Sequence, residues 1–129
     1  MTSGAVTGAV RFEGYAAVFD RVDRAGDVIR AGAFGHIGPV PLLLQHRGQA
    51  VGAIEAIGED AAGLRVVGRV DAPELAAQVR GGGLAGLSVG YRPVRTRQGA
   101  RRELLAVTLV EVSLVAVPMQ PHARVTRIF

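Results

Sequence analysis

The stretch from Leu104 to Val117 constrains this chain more than any other. Its fourteen residues are apolar apart from Thr108, Glu111 and Ser113. A strand turns successive side chains to opposite faces, so a run that is apolar on both faces belongs in the middle of a sheet, covered above and below. The fold is therefore expected to be organised around one long central strand, with other strands beside it.

Those partners are legible. Val10 to Phe19 has strand composition and ends at Asp20, followed by the polar, turn-like Arg21 to Gly26. Pro41 to His46 is a short apolar run. Ala50 to Ile57 and Leu64 to Val70 flank the acidic turn Gly58-Glu59-Asp60 and read as a hairpin. Leu84 to Val94 is a second strong strand, separated from the central one by an Arg-rich connection, Arg95 to Arg102. Val28 to Ile37 is short and glycine-rich, with room for one helical turn at Ala33-Phe34. One helix is expected behind Asp71, with Asp71 as its cap and Pro73 in the first turn, where a missing N–H costs nothing. Leu75, Ala76 and Val79 supply its apolar side, and Gly81-Gly82-Gly83 stops it. Pro118 and Pro121 end the regular pairing. A length of 129 residues suits one domain over 1–129. The expected fold is mainly β with a few short helices, a small closed or nearly closed β-barrel.

Composition removes several classes of chemistry. With no cysteine there is no disulfide framework and no thiolate metal site. The three histidines, His36, His46 and His122, do not have metal-ligand spacing, and no glycine-rich phosphate loop is present, so neither metal nor cofactor is expected. No apolar run is long enough to cross a membrane, and Met1 to Val10 lacks the pattern of a signal peptide. The net charge is +4 and every basic side chain besides histidine is arginine. Asn is also missing, a bias that a GC-rich coding sequence would produce, although a basic balance also fits a nucleic-acid or acidic partner. Arg92, Arg95, Arg97, Arg101 and Arg102 could contact nucleic acid, but no aromatic interrupts the stretch to stack a base. A solvated hairpin is the favoured reading.

Three polar residues stand where a strand should be apolar. Ser88 alternates with Leu87 and Val89 and shares its face with Gly86 and Gly90, an open strip that a peptide backbone could approach. His46 ends an apolar run and by alternation shares a face with Leu42 and Leu44; a histidine there can serve as a general base. Glu111 falls on the face of Val107, Leu109 and Val115. A carboxylate there needs a partner, which could be an arginine or a histidine N–H. Together the three form a chemically complete set for a serine nucleophile, its base and an orienting carboxylate. Each alone is also compatible with an ordinary structural role.

In five segments the sequence resembles the prohead maturation proteases of tailed phages (the HK97 type) and of gene transfer agents. The segments are Phe12 to Phe19, Gly26 to Ile29 with Gly32-Ala33-Phe34, Leu42 to His46, Gly86 to Tyr91, and Leu109 to Val115 with Pro118 and Pro121. The family is related to herpesvirus assemblins, so the resemblance implies their small β-barrel. It also implies a serine endopeptidase without cofactor, with Ser88 as nucleophile, His46 as base, and Glu111 in third place or, as a rival, His122. The implied substrate is the scaffolding or N-terminal segment of the major capsid protein, or a separate scaffolding protein, cut inside the assembling prohead in a bacterial cytoplasm. Self-cleavage and a homo-oligomer are compatible with that role; a membrane partner is not expected. Relatives often carry alanine and asparagine where this chain has Met119 and Gln120. The chain stops at Phe129, so any scaffold is expected on another protein. The rival expectations are a basic nucleic-acid-binding module and a non-catalytic capsid or scaffold component.

Overall fold

The computed structural model describes residues 8–129; the N-terminal reading over residues 1–7 lies outside them. In chain order the elements are β1 (Val10–Val18), β2 (Asp27–Ile29), β3 (Leu42–Leu44), β4 (Gly52–Glu59), β5 (Gly63–Val70), α1 (Pro73–Arg80), β6 (Gly86–Gln98), β7 (Arg102–Val115) and β8 (Val125–Ile128).

The long apolar run becomes β7, and its place is central. On one flank it pairs antiparallel with β6. On the other it pairs parallel with β2 near its start and with β3 near its end. Its last five residues, Glu111 to Val115, are all buried, as coverage on both faces demands. The remaining strands form an antiparallel sheet in the order β4-β5-β1-β8.

Two seams bring these sheets edge to edge. At one, Val51 N–H donates to Leu42 O at 2.9 Å, joining β3 to the approach of β4. At the other, Leu87 N–H donates to Ala123 O and Val125 N–H to Ala85 O, joining the start of β6 to the approach of β8. The result is a nearly closed barrel. Its interior holds Phe12, Leu64 and Val66 from one sheet and Leu42, Leu87 and Leu114 from the other, all fully buried. Burying each such side chain contributes roughly 1.5–3 kcal/mol. Helix α1 covers one side with Leu75, Ala76 and Val79.

Four details correct the sequence reading. Asp71 does not cap α1: the N-cap is Ala72, without a side-chain cap bond, and the Asp71 carboxylate accepts from Arg69 Nε at 2.7 Å instead. Ala33-Phe34 lies in successive hydrogen-bonded turns and makes no helix. The β4–β5 reversal starts at Asp60, whose Oδ1 accepts the N–H groups of Ala62 and Gly63, while Gly58 and Glu59 belong to β4. Much of Arg95 to Arg102 is strand, because β6 continues to Gln98 and β7 begins at Arg102. In that arm Arg97 bonds Glu103 and Arg102 grips both oxygens of Asp27.

Candidate active site

His46 stands just beyond the end of β3. Leu44 O accepts from Arg47 N–H at 3.2 Å, closing a tight turn whose two central residues, Gln45 and His46, have φ of 53° and 63°. Two successive residues in the left-handed region mark a primed hairpin turn, which normally calls for glycine or asparagine. Such a conformation costs about 1–2 kcal/mol per residue for side chains with a Cβ, so the surroundings must hold it. They do: Gln45 N–H donates to Leu114 O at 3.0 Å, and His46 N–H donates to Ser113 Oγ at 3.1 Å. The turn ends the alternation that would have aligned His46 with Leu42 and Leu44, and swings the imidazole over β7.

There it meets Glu111. His46 Nδ1 lies 2.7 Å from Glu111 Oε2, and Ser113 Oγ donates to Glu111 Oε1 at 2.6 Å. The carboxylate is 9% exposed and the imidazole 43%, so a nearly buried acid holds a base that reaches solvent. The β6–β7 register slips by one residue between Gly90 and Tyr91, leaving Val110 without a partner on β6. A bulge next to Glu111 re-aims its side chain, and the strict alternation grouping it with Val107 and Leu109 does not carry across the slip.

The glycines beside Ser88 have a different use from the one expected. A Cβ on Gly90 would sit 2.1 Å from Glu111 Oε2, and one on Gly86 would sit 2.8 Å from Pro118 Cδ. Their missing side chains make room for Glu111 and Pro118; they do not leave an open strip for a substrate.

Ser88 lies directly across the ladder from Ser113, and Gly90 directly across from Glu111. Period-two alternation puts all four on one face. Ser88 is 5% exposed and borders a cavity of ≈ 20 Å³ whose other walls include Asp23, Tyr91, Met119 and Gln120. That space holds about one water. Burial, and then the carboxylates of Asp23 and Asp27, push the Tyr91 phenol above its usual pKa, so Tyr91 stays protonated there.

The wall formed by residues 118–121 is pinned from behind. Arg24 donates its N–H to Met119 O and its Nε–H to Pro118 O, at 2.9 and 3.0 Å. The Gln120 amide clasps Val18, accepting from its N–H at 2.6 Å and donating to its carbonyl at 3.0 Å. With these carbonyls facing away, the N–H groups of Met119 and Gln120 take no hydrogen-bond partner among the described residues.

The structure thus brings His46 and Glu111 into contact and sets Ser88 on the same face, with no hydrogen bond between Ser88 and His46. His122 is exposed and bonds to none of the three. Ser113 and Arg24 were not singled out from sequence, and Gln120 stood out only as a departure from the relatives' asparagine, without its clasp on Val18. Ser113 had a signal, being a polar residue two positions from Glu111 in an apolar run; Arg24 had none, because its partners are distant in the chain.

The model of the family described as caudovirus prohead serine protease matches residues 2–128. The prohead protease of Enterobacteria phage HK97 is 35% identical over 92 aligned residues, covering 62% of this chain and 41% of that protein. The chain therefore spans less than half the length of this curated relative. Among solved structures, the KSHV protease in complex with a hexapeptide phosphonate inhibitor aligns at a TM-score of 0.57 and 15% identity, covering 87% of this chain and 61% of the other. At that identity the likeness is one of fold, and the fold is the one implied by the resemblance to assemblins.

Proposed function

The chain belongs to the caudovirus prohead serine protease family, and from that premise we propose that it is a serine endopeptidase using Ser88, His46 and Glu111. The observation that carries this assignment is the 2.7 Å contact between His46 Nδ1 and Glu111 Oε2, on the face that also bears Ser88. A carboxylate on Nδ1 keeps the proton there and leaves Nε2 unprotonated, the tautomer a general base requires.

The steps follow from these positions. Ser88 Oγ attacks the scissile carbonyl carbon while its proton passes to His46 Nε2. Glu111 stabilises the imidazolium that results. The negative oxygen of the tetrahedral intermediate is received by the free N–H groups of Met119 and Gln120, held in place by Arg24 and by the Gln120 clasp on Val18. Collapse breaks the C–N bond, and His46 returns its proton to the leaving amine. Water, deprotonated by the same imidazole, then releases the acyl group from Ser88. The hydrogen bond between Ser88 and His46 forms with substrate in place, since catalytic contacts in free enzymes are often long.

The proposed substrate is the scaffolding or N-terminal segment of the major capsid protein, inside the assembling prohead in the host cell. Enclosure would raise the local concentration of enzyme and substrate and so confine cleavage to assembled shells. Co-expression with the capsid protein of the same genome, followed by mass spectrometry, tests the assignment. Ser88→Ala should lower cleavage by on the order of 10⁴-fold with the fold retained. Wild-type cleavage by a folded Ser88→Ala variant would end it.

A further inference from the structure

We propose that Ser113 is a positioning residue that locks the His46 imidazole to Glu111; this inference rests on the proposed roles of those two residues. Ser113 is completely buried, and its hydroxyl serves both partners at once. It donates to Glu111 Oε1 at 2.6 Å and accepts the His46 backbone N–H at 3.1 Å. With the His46 Nδ1 contact to Glu111 Oε2 at 2.7 Å, the three residues close a ring.

Each link has a distinct effect. The bond to Oε1 stops the carboxylate from rotating away from the imidazole, because both of its oxygens are then committed. The bond from the His46 N–H fixes the backbone of a residue held at φ 63°, a conformation uncommon for any residue with a Cβ. The imidazole is therefore tethered at its backbone and at its ring to one rigid strand. A side chain with free χ1 and χ2 would otherwise sample other rotamers at this exposed turn. Ser113 also lies directly across the ladder from Ser88, so the same strand sets the base against the nucleophile. Ser113 touches no reacting atom; it acts through His46 and Glu111.

The test compares wild type, Ser113→Ala and Ser113→Thr. The first readout needs no substrate: the low-field proton resonance of His46 Nδ1–H, identified by its loss in His46→Ala. The second is kcat and KM on a capsid-derived peptide. Ser113→Ala should fold, lose or broaden the resonance, and drop kcat by about 10- to 100-fold with KM nearly unchanged, the usual range for losing a hydrogen bond to a charged group. Ser113→Thr keeps the hydroxyl and should restore both signals. An unaltered resonance and kcat in Ser113→Ala would overturn the proposal. So would failure of Ser113→Ala to fold, or loss of the resonance in Ser113→Thr, since either marks Ser113 as a packing residue. If Ser88→Ala cleaves like wild type, the protease assignment fails instead, and the resonance still reports whether Ser113 holds the imidazole.

Discussion

Replacing Gly90 by alanine separates the site's geometry from the stability of the fold. Gly90 is not in the left-handed region, so glycine is needed there for space and not for conformation. The added Cβ would lie 2.1 Å from Glu111 Oε2, 2.8 Å from its Cδ and 3.0 Å from its Cγ. Ordinary contact begins near 3.4 Å, so the carboxylate must withdraw by more than 1 Å. A 2.7 Å hydrogen bond to His46 cannot survive that displacement. Losing the orienting carboxylate outright costs about 10⁴-fold in a serine triad. Here the charge stays nearby, so kcat should fall by roughly 10²- to 10⁴-fold. Stability should change much less. Leaving a buried acceptor unpaired costs about 1–3 kcal/mol, and the restricted unfolded chain returns about 0.4–1 kcal/mol. The assay is cleavage of a capsid-derived peptide well below the melting midpoint of each variant. Gly58→Ala is the control: its Cβ would meet nothing within 4 Å, so cleavage should be unchanged and stability equal or slightly raised. The decisive comparison is Gly90→Ala in a Glu111→Ala background, where the steric conflict is gone and the second change should cost almost nothing. A Gly90→Ala variant within threefold of wild type, or full additivity with Glu111→Ala, would refute the steric argument.

Two further predictions concern the scaffold. Gly14→Ala should destabilise by about 1–3 kcal/mol in chemical denaturation, because its Cβ would meet the Arg124 carbonyl oxygen at 2.2 Å while that oxygen accepts from Tyr15 N–H. Hydrogen bonds from Arg97, then Arg30, hold the Glu103 carboxyl down to about 2, against an ordinary 4.5. Because its folded pKa is depressed, its contribution is present above about 4.5 and is lost as pH falls toward 2. Glu103→Gln should flatten the melting-temperature decline across that window, and an unchanged slope would count against the network.

The fold was legible where burial alone decides it. Leu104 to Val117 announced a covered central strand; β7 takes the central place, but it ends at Val115 and is covered throughout only from Glu111 to Val115, with Val110 and Val117 exposed. Leu75, Ala76 and Val79 likewise marked the buried side of α1. What failed was the extension of alternation through features that alternation cannot register. A primed turn at Gln45-His46 and a one-residue slip at Val110 set the directions of His46 and Glu111. Neither has glycine or proline at its centre to betray it. The glycines at 86 and 90 were visible, but their purpose was not: a missing Cβ looks the same whether a substrate or a carboxylate fills its place. Asp71 misled for a similar reason, since its local rival Arg69 competes for the carboxylate better than the helix N–H groups do.

The placement of β7 also sets a clock. His46 meets Glu111 across 65 residues of chain, and Ser113 across 67. At a synthesis rate of roughly 5–20 residues per second, about 3–13 s separate the emergence of His46 from that of Glu111. The proposed nucleophile, Ser88, is itself made only 23 residues before Glu111, and throughout that interval the proposed base is without the strand that positions it. Both strands on its far flank pair with it in parallel, over long loops that close slowly. A growing chain therefore carries the parts of the proposed site without the site, and on that assignment cleavage competence would arrive only once residues 102–115 have been made and inserted.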